Sequence, residues 1–421
     1  MSLTTLPPEL LSYIATHFLP SLQDVSSLAK ASKHLYTITN PILYHHQIYH
    51  EDSSALLWAA THGKPDPCTR LLQEGANPNT QDPQNRRTPL SWAAGNGFTD
   101  VVSVLLCAGA PKIDTNAPDA RGQTPLFWAA GRGLHLAPKM WNPHSAMPTN
   151  ADVVQEKAKA GGEYLAIVKL FLSNKTIQPD CRTQRGETPL AVAAASGADD
   201  VVEALLLTGK VDANSKDNFG QTPLHAAARN GHMGIVKRLL GIEGVDTDAR
   251  STSGESPLLG AAGNGHTGIV ELLLAIPTVD PDQQPSFGDR ALLTAVAAGH
   301  TDVVEVLLAN ERVDPSAPNK QGVTALVRAA QRGRTHIMRL LLAKGVDPEE
   351  KDREGSTPLM IAAERGDAEA VELLLLTGRV QADFDLTKRN RNSSAFRAPS
   401  KLNEDVVRML DGYKSRHRGD S

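Results

Sequence analysis

The chain has 421 residues, 40% of them hydrophobic and only 4% aromatic, with a formal net charge of −4. That length exceeds what one compact core holds, the scarcity of aromatics points to a core of small side chains, and the mild acidity argues against a nucleic-acid binder driven by bulk charge. Three cysteines, Cys68, Cys107 and Cys181, lie far apart without CxxC spacing. They argue against a disulfide framework or a zinc site and suit a reducing compartment. The opening MSLTTLPPELL has no basic segment followed by an apolar one, and no apolar run approaches the roughly 18 residues of a membrane span. Cytoplasm or nucleus is the expected location, with neither membrane nor nucleic acid as a partner.

Residues 1–50 stand apart from the rest. Leu6-Pro7-Pro8-Glu9-Leu10-Leu11 leads into a predicted helix with Leu10, Ile14 and Phe18 on one face, and Leu19-Pro20 ends it. A second helix turns Val25, Leu28, Ala29 and Leu35 inward. The run from Leu6 to Tyr44 resembles an F-box in its Leu-Pro-x-Glu opening, Ile14, Leu19-Pro20, the Ser-Leu-Ala-Lys-Ala-Ser-Lys stretch and the closing Asn-Pro-x-Leu-Tyr. It departs from many F-boxes in having His34-Leu35-Tyr36 where they carry a tryptophan. The resemblance implies docking on a Skp-type adaptor of a ubiquitin ligase through Leu6, Pro7, Glu9, Leu10, Ile14, Leu19 and Val25. Some forty residues seldom hold a core alone, so this module needs a partner surface. The alternative is a helical cap on the first of the repeats that follow.

From residue 51 onward one pattern recurs with a period of about 34 residues. Its openings are Ser54-Ala55-Leu56, Thr88-Pro89-Leu90, Thr124-Pro125-Leu126, Thr188-Pro189-Leu190, Thr222-Pro223-Leu224, Ser256-Pro257-Leu258, Arg290-Ala291-Leu292, Thr324-Ala325-Leu326 and Thr357-Pro358-Leu359. Thr or Ser suits an N-cap, and Pro suits the first helical turn because its missing N–H is not needed there. A short apolar helix with an alanine pair follows, then a glycine, then a second helix such as Ile235-Val236-Lys237-Arg238-Leu239-Leu240, then an extended loop with a glycine at its tip. No single unit buries its own apolar face, so neighbours must stack. TPLHAAARNGH followed by IVKRLL resembles the ankyrin repeat. The resemblance covers residues 51–386 with nine repeats and implies an all-α solenoid of helix-turn-helix-hairpin units.

The step from Thr124 to Thr188 is nearly twice the period. The excess, Leu134–Glu163, falls between the two helices of the third repeat. It reads as a tolerated surface loop with a possible helix from Asp152 to Lys159; the competing reading is a binding lid carrying Met140, Trp141 and Met147. Residues 387–421 form a basic tail. Within it Glu404-Asp405-Val406-Val407-Arg408-Met409-Leu410 repeats the second-helix pattern, as a degenerate capping repeat would. Lys388-Arg389-Asn390-Arg391 is either a solvated tail or an import signal.

The sequence holds no GxGxxG after a strand, no GxxxxGK[ST], no HExxH and no GxSxG, so neither an enzyme nor a cofactor is expected. His225, His232, His266 and His300 recur at fixed repeat positions and read as structural. His46 and His50 lie four apart but lack a third ligand. Trp58, Trp92 and Trp128 share one first-helix position, where core packing explains them more simply than an aromatic ladder for a ligand. Ankyrin arrays bind through hairpin tips and the exposed end of the first helix. By register the resemblance transfers that role to Arg121, Arg132, Arg185, Phe219, Arg229, Arg332 and Arg365, with Arg87, Lys320 and Arg353 on the same face. The implied partner is a protein segment that is acidic or phosphorylated. The expected function is a protein–protein interaction scaffold, as the substrate-recognition subunit of an SCF-type ubiquitin ligase; the alternative is a scaffold or nuclear regulator outside that pathway.

Overall fold

The structure is a computed structural model that describes residues 54–107, 113–131, 150–286, 288–380 and 404–417. The F-box-like residues 6–44, Arg132 and the basic cluster at 388–391 lie outside them. Every regular element among the described residues is a helix. The chain divides between Ala213 and Asn214 into two compact units.

The first unit contains helices α1 (Ser54–Thr61), α2 (Pro65–Gln73), α3 (Pro89–Gly95), α4 (Thr99–Cys107), α5 (Pro125–Ala130), α6 (Asn150–Ser173), α7 (Pro189–Ser196) and α8 (Asp199–Leu206). They form two rows. The inner row packs as α1, α3, α5, α7 and the outer row as α2, α4, α6, α8. The second unit repeats the arrangement with inner helices α9 (Pro223–Arg229), α11 (Pro257–Gly263), α13 (Ala291–Ala298), α15 (Ala325–Arg332) and α17 (Pro358–Arg365). Its outer helices are α10 (Met233–Leu240), α12 (Thr267–Leu274), α14 (Thr301–Ala309), α16 (Thr335–Ala343) and α18 (Ala368–Leu376). Helix α19 (Glu404–His417) packs beside α18, burying Val406 and Leu410, and the Tyr413 hydroxyl donates to the Val380 carbonyl at 3.2 Å.

The local chemistry explains the elements. The hydroxyl of Thr88, Thr124, Thr188, Thr222, Ser256, Thr324 or Thr357 accepts the backbone N–H three residues on, capping the inner helix it precedes. Arg290 stands at the same position before α13 and supplies no cap. Alanine pairs such as Ala93-Ala94 and Ala227-Ala228 are fully buried between inner helices, where a larger side chain would hold neighbours apart. Leu90, Leu126, Leu190 and Leu224 each bury a whole side chain beneath them, about 2 kcal/mol apiece. Outer helices contribute triplets such as Val101, Val102 and Leu105, or Ile235, Val236 and Leu239.

Hairpins between the helix pairs are tied to one another by backbone bonds. Gln184 N–H donates to Arg121 C=O at 2.9 Å in the first unit, and Thr252 N–H to Phe219 C=O at 2.8 Å in the second. At Gly122 the tip is left-handed (φ 77°), and a Cβ there would lie 2.9 Å from Gln184 N. The equivalent position of the preceding hairpin holds Arg86 with φ 57°, a conformation that suits a side chain poorly.

Within the insertion, the expected helix from Asp152 to Lys159 is part of a longer one. Residues 150–163 are helical and continuous with the second helix of the third repeat, so α6 runs 24 residues. The added turns prolong the element by about 20 Å at 1.5 Å per residue. The sequence pattern marks the helix at Asp152–Lys159 but not its continuity with the next one, because the segment's own apolar spacing is weak, while its alanines and charged residues favour a helix wherever a neighbouring helix nucleates one.

Candidate functional site

Each unit presents the ends of its inner helices and its hairpin tips on one side, and the candidate residues fall there. In the first unit Arg121 and Arg185 occupy successive hairpin tips. Their backbone N–H groups are held by Asp119 Oδ1 at 2.8 Å and Thr183 Oγ1 at 3.2 Å, while their side chains are exposed. In the second unit Asp217 Oδ1 accepts the Phe219 N–H at 2.9 Å, and the Phe219 ring stands 56% exposed. Arg332 ends α15 in solvent. The side chains of Arg121, Arg185 and Arg332 make no hydrogen bond or ion pair among the described residues.

Arg229 and Arg365 sit differently. The Arg229 guanidinium donates to both oxygens of Glu255, a residue of the next repeat, at 2.5 Å. Arg365 lies over Gly333 and donates to the Gln331 carbonyl at 3.0 Å. Both therefore stitch neighbouring repeats together and are not free donors. The pair at Arg328 and Asp289 (3.0 Å), with Asn319 on the same carboxylate, does the same with both side chains four-fifths buried. Sequence register alone did not single out Arg328, yet it stands at the position of Trp92 and Trp128 in its own repeat.

The histidines are load-sharing struts between repeats. His225 closes a capping box with Thr222, and its Nε2 meets the Glu255 carbonyl at 2.9 Å. Burial, only partly offset by the Glu255 carbonyl and carboxylate, holds the His225 pKa below its ordinary value. His266 Nε2 meets Arg229 C=O at 2.9 Å and His300 Nε2 meets Gly263 C=O at 3.2 Å. Tyr164 of α6 makes the equivalent link, its hydroxyl donating to Gly95 C=O at 3.0 Å.

Of the three tryptophans only Trp128 is the core residue that simple stacking predicts. Trp58 is 54% exposed and stacks on His62 with ring centroids 4.7 Å apart. Trp92 is half-buried and Trp128 buried. Between those two lies the guanidinium of Arg87, 3.9 Å from one ring centroid and 3.7 Å from the other. Arg87 is thus not a projecting face residue but 94% enclosed, since only 6% of it is exposed. Its Nη2 donates to Ser91 C=O at 2.7 Å, and a Cβ at Gly95 would fall 2.5 Å from that nitrogen, so glycine makes the room. Trp92 Nε1 donates to Asp82 and Trp128 Nε1 to Asp119, at 3.1 and 3.0 Å. Burial lowers the Arg87 pKa to about 10 against the opposing pull of Asp119 and Asp82, which leaves it charged at neutral pH.

Among the described residues no three His, Cys, Asp or Glu side chains gather as a metal site. No helix among them is long and apolar enough to cross a membrane. The arrangement is one of surfaces: rigid helix ends, capped hairpins and arginines offered to solvent.

The family described as ankyrin repeats, in three copies, matches residues 56–137, 156–251, 193–284, 230–319, 258–352 and 312–390. The chain belongs to the ankyrin-repeat family, and the stacked pairs make it a protein–protein interaction scaffold. No F-box domain is detected. Two relatives come from the yeast Schizosaccharomyces pombe. A glycerophosphocholine phosphodiesterase, gde1, is 36% identical over 89 residues, 21% of this chain and 8% of that protein. An ankyrin repeat-containing protein is 31% identical over 143 residues, 32% of this chain and 66% of that protein. The chain therefore matches less than two thirds of the length of each.

Proposed function

We propose that the chain is the substrate-recognition subunit of an SCF-type ubiquitin ligase. In this reading residues 1–50 form an F-box-like module, residues 51–386 nine ankyrin repeats, and residues 387–421 a basic tail with a degenerate capping repeat. The observation that carries it is the run from Leu6 to Tyr44, set directly before an interaction scaffold. Leu6, Pro7, Glu9, Leu10, Ile14, Leu19 and Val25 contact the Skp-type adaptor. The scaffold holds the target, and catalysis comes from the other subunits. The chain then contributes proximity, raising the effective concentration of target lysines near the charged ubiquitin carrier. Its place of action is the cytoplasm or nucleus.

Target binding falls to the residues whose donors are unspent: Arg121 and Arg185 in the first unit, and Arg332 with the exposed ring of Phe219 in the second. Arg132 joins them by register. Arg229 and Arg365 contribute less, because each already serves a partner in its own unit. A planar guanidinium fork suits carboxylate and phosphate oxygens, so the partner is an acidic or phosphorylated segment.

Co-purification with a Skp adaptor tests the first half. Wild type retains the adaptor and the double variant Leu6→Ala, Pro7→Ala loses it, with the helical content of the repeats unchanged. Failure of the wild-type chain to retain any adaptor leaves an ankyrin scaffold outside the ubiquitin pathway. Arg121→Glu with Arg332→Glu tests the second half. It weakens target capture, more so at low salt, and leaves the adaptor bound.

A further inference from the structure

The sequence holds three Asn-Gly pairs, and the fold sets all three at one register position, where an inner helix ends. They are Asn96-Gly97 after α3, Asn230-Gly231 after α9 and Asn264-Gly265 after α11. The asparagines are exposed, and the glycines are left-handed, with φ of 78°, 79° and 77°. Such a pair is chemically labile, because glycine has no side chain to keep its backbone nitrogen away from the carboxamide carbon of the residue before it. The backbones of the three sites match. The asparagine ψ angles are −1°, 1° and 5°, and each glycine N–H reaches the carbonyl three residues back at 3.4, 3.3 and 3.4 Å.

What differs is how the side chain and the glycine are held. Asn230 Nδ2 donates to Ala226 C=O and Asn264 Nδ2 to Gly260 C=O, both at 2.9 Å, so each of these carboxamides is tied to its own helix. Asn96 Nδ2 instead reaches Thr61 C=O of the preceding repeat at 3.4 Å, beyond the ordinary range of an N–H···O bond. An imidazole is seated on each of the other two glycines. A Cβ on Gly231 would meet His266 Cε1 at 2.5 Å, and one on Gly265 would meet His300 Nδ1 at 2.7 Å. Above Gly97 the nearest atom is Tyr164 Cζ at 3.4 Å, an ordinary contact.

We propose that Asn96 is a site of spontaneous deamidation in the folded chain, while Asn230 and Asn264 are protected by the repeats around them. The Gly97 nitrogen attacks Cγ of Asn96. The new N–C bond closes a succinimide as the Cγ–Nδ2 bond breaks, and the amide nitrogen leaves as ammonia with the proton from glycine. Water then opens either C–N bond of the ring to give aspartate or isoaspartate. Gly97 is more enclosed than the other two glycines, but the attack is intramolecular, and ammonia departs from a carboxamide that faces solvent. Either product carries a carboxylate at the C-terminal end of α3, where the helix dipole opposes a negative charge. The site depends on neither the adaptor nor the target reading above.

The test holds the full chain at mildly alkaline pH and follows the three pairs by mass spectrometry of tryptic peptides, which separate them. A parallel sample is unfolded in urea. In the folded chain Asn96 deamidates at least about fivefold faster than Asn230 and Asn264, the factor that one neutral hydrogen bond on the carboxamide is worth. In urea the three rates converge. Equal rates at the three sites of the folded chain overturn the proposal. So does faster reaction at Asn230 or Asn264, which would make the imidazoles bases and not clamps. A folded Asn96 that stays intact while the unfolded chain reacts, or a lead for Asn96 that persists in urea, overturns it as well.

Discussion

Gly122→Ala probes the hairpin tips that carry Arg121 and Arg185. The residue has φ 77°, and an added Cβ meets Gln184 N at 2.9 Å and the Thr183 backbone at 3.3 Å. Backbone atoms cannot swing away as a side chain can, so the two hairpins must separate. The left-handed conformation costs an alanine about 1–2 kcal/mol. Losing the Gln184 N–H bond to Arg121 C=O, 2.9 Å long, adds about 1 kcal/mol. The expected destabilisation is therefore about 2–3 kcal/mol. Gly75→Ala is the matched control, with φ 93° but nothing within 4 Å of the added Cβ, so strain alone acts there at about 1–2 kcal/mol. All four tryptophans of the sequence, Trp58, Trp92, Trp128 and Trp141, precede Ala213, so tryptophan fluorescence in a urea titration reports the first unit selectively. If Gly75→Ala costs as much as Gly122→Ala, the close approach of the hairpins contributes nothing and the reasoning fails.

Two further outcomes are expected. Arg86→Gly should stabilise the first unit by about 1 kcal/mol, read as a higher urea midpoint in the same fluorescence assay, because glycine tolerates φ 57° where arginine does not. His225, held neutral chiefly by burial, has a folded pKa below its unfolded value of about 6.5. The unfolded chain then binds more protons, so the stability it contributes is complete above that pH and is lost as pH falls through the folded value. Hydrogen exchange of α9 measured between pH 7.5 and 5 should show protection falling in wild type, with a shallower fall in His225→Asn; identical slopes would place the titrating group elsewhere.

The period, the caps and the alanine pairs were legible in the sequence because each acts within a few residues of itself. A threonine three residues before the N–H it accepts, or a proline in a first turn, needs no distant partner, and stacking follows because no unit can bury its own apolar face. Within those limits the sequence determined the helix pairs, their order and the side on which hairpins and helix ends emerge. Tertiary structure decided what the long side chains do there. Arg332 and Arg365 share one register position, but the Gln331 carbonyl of the preceding repeat holds one while the other stays free. Arg87 and Trp58 exchanged their expected roles for the same reason. The arginine is enclosed because a neighbouring repeat supplies a second indole, whereas Trp58 is exposed and stacks only on His62 of its own repeat among the described residues. Helix α6 absorbed half of the insertion once an adjoining helix had borne the cost of nucleation. Backbone periodicity fixes where a side chain starts, but a flexible side chain ends wherever the adjacent repeat offers charge, a ring face or a carbonyl, and these positions vary from repeat to repeat.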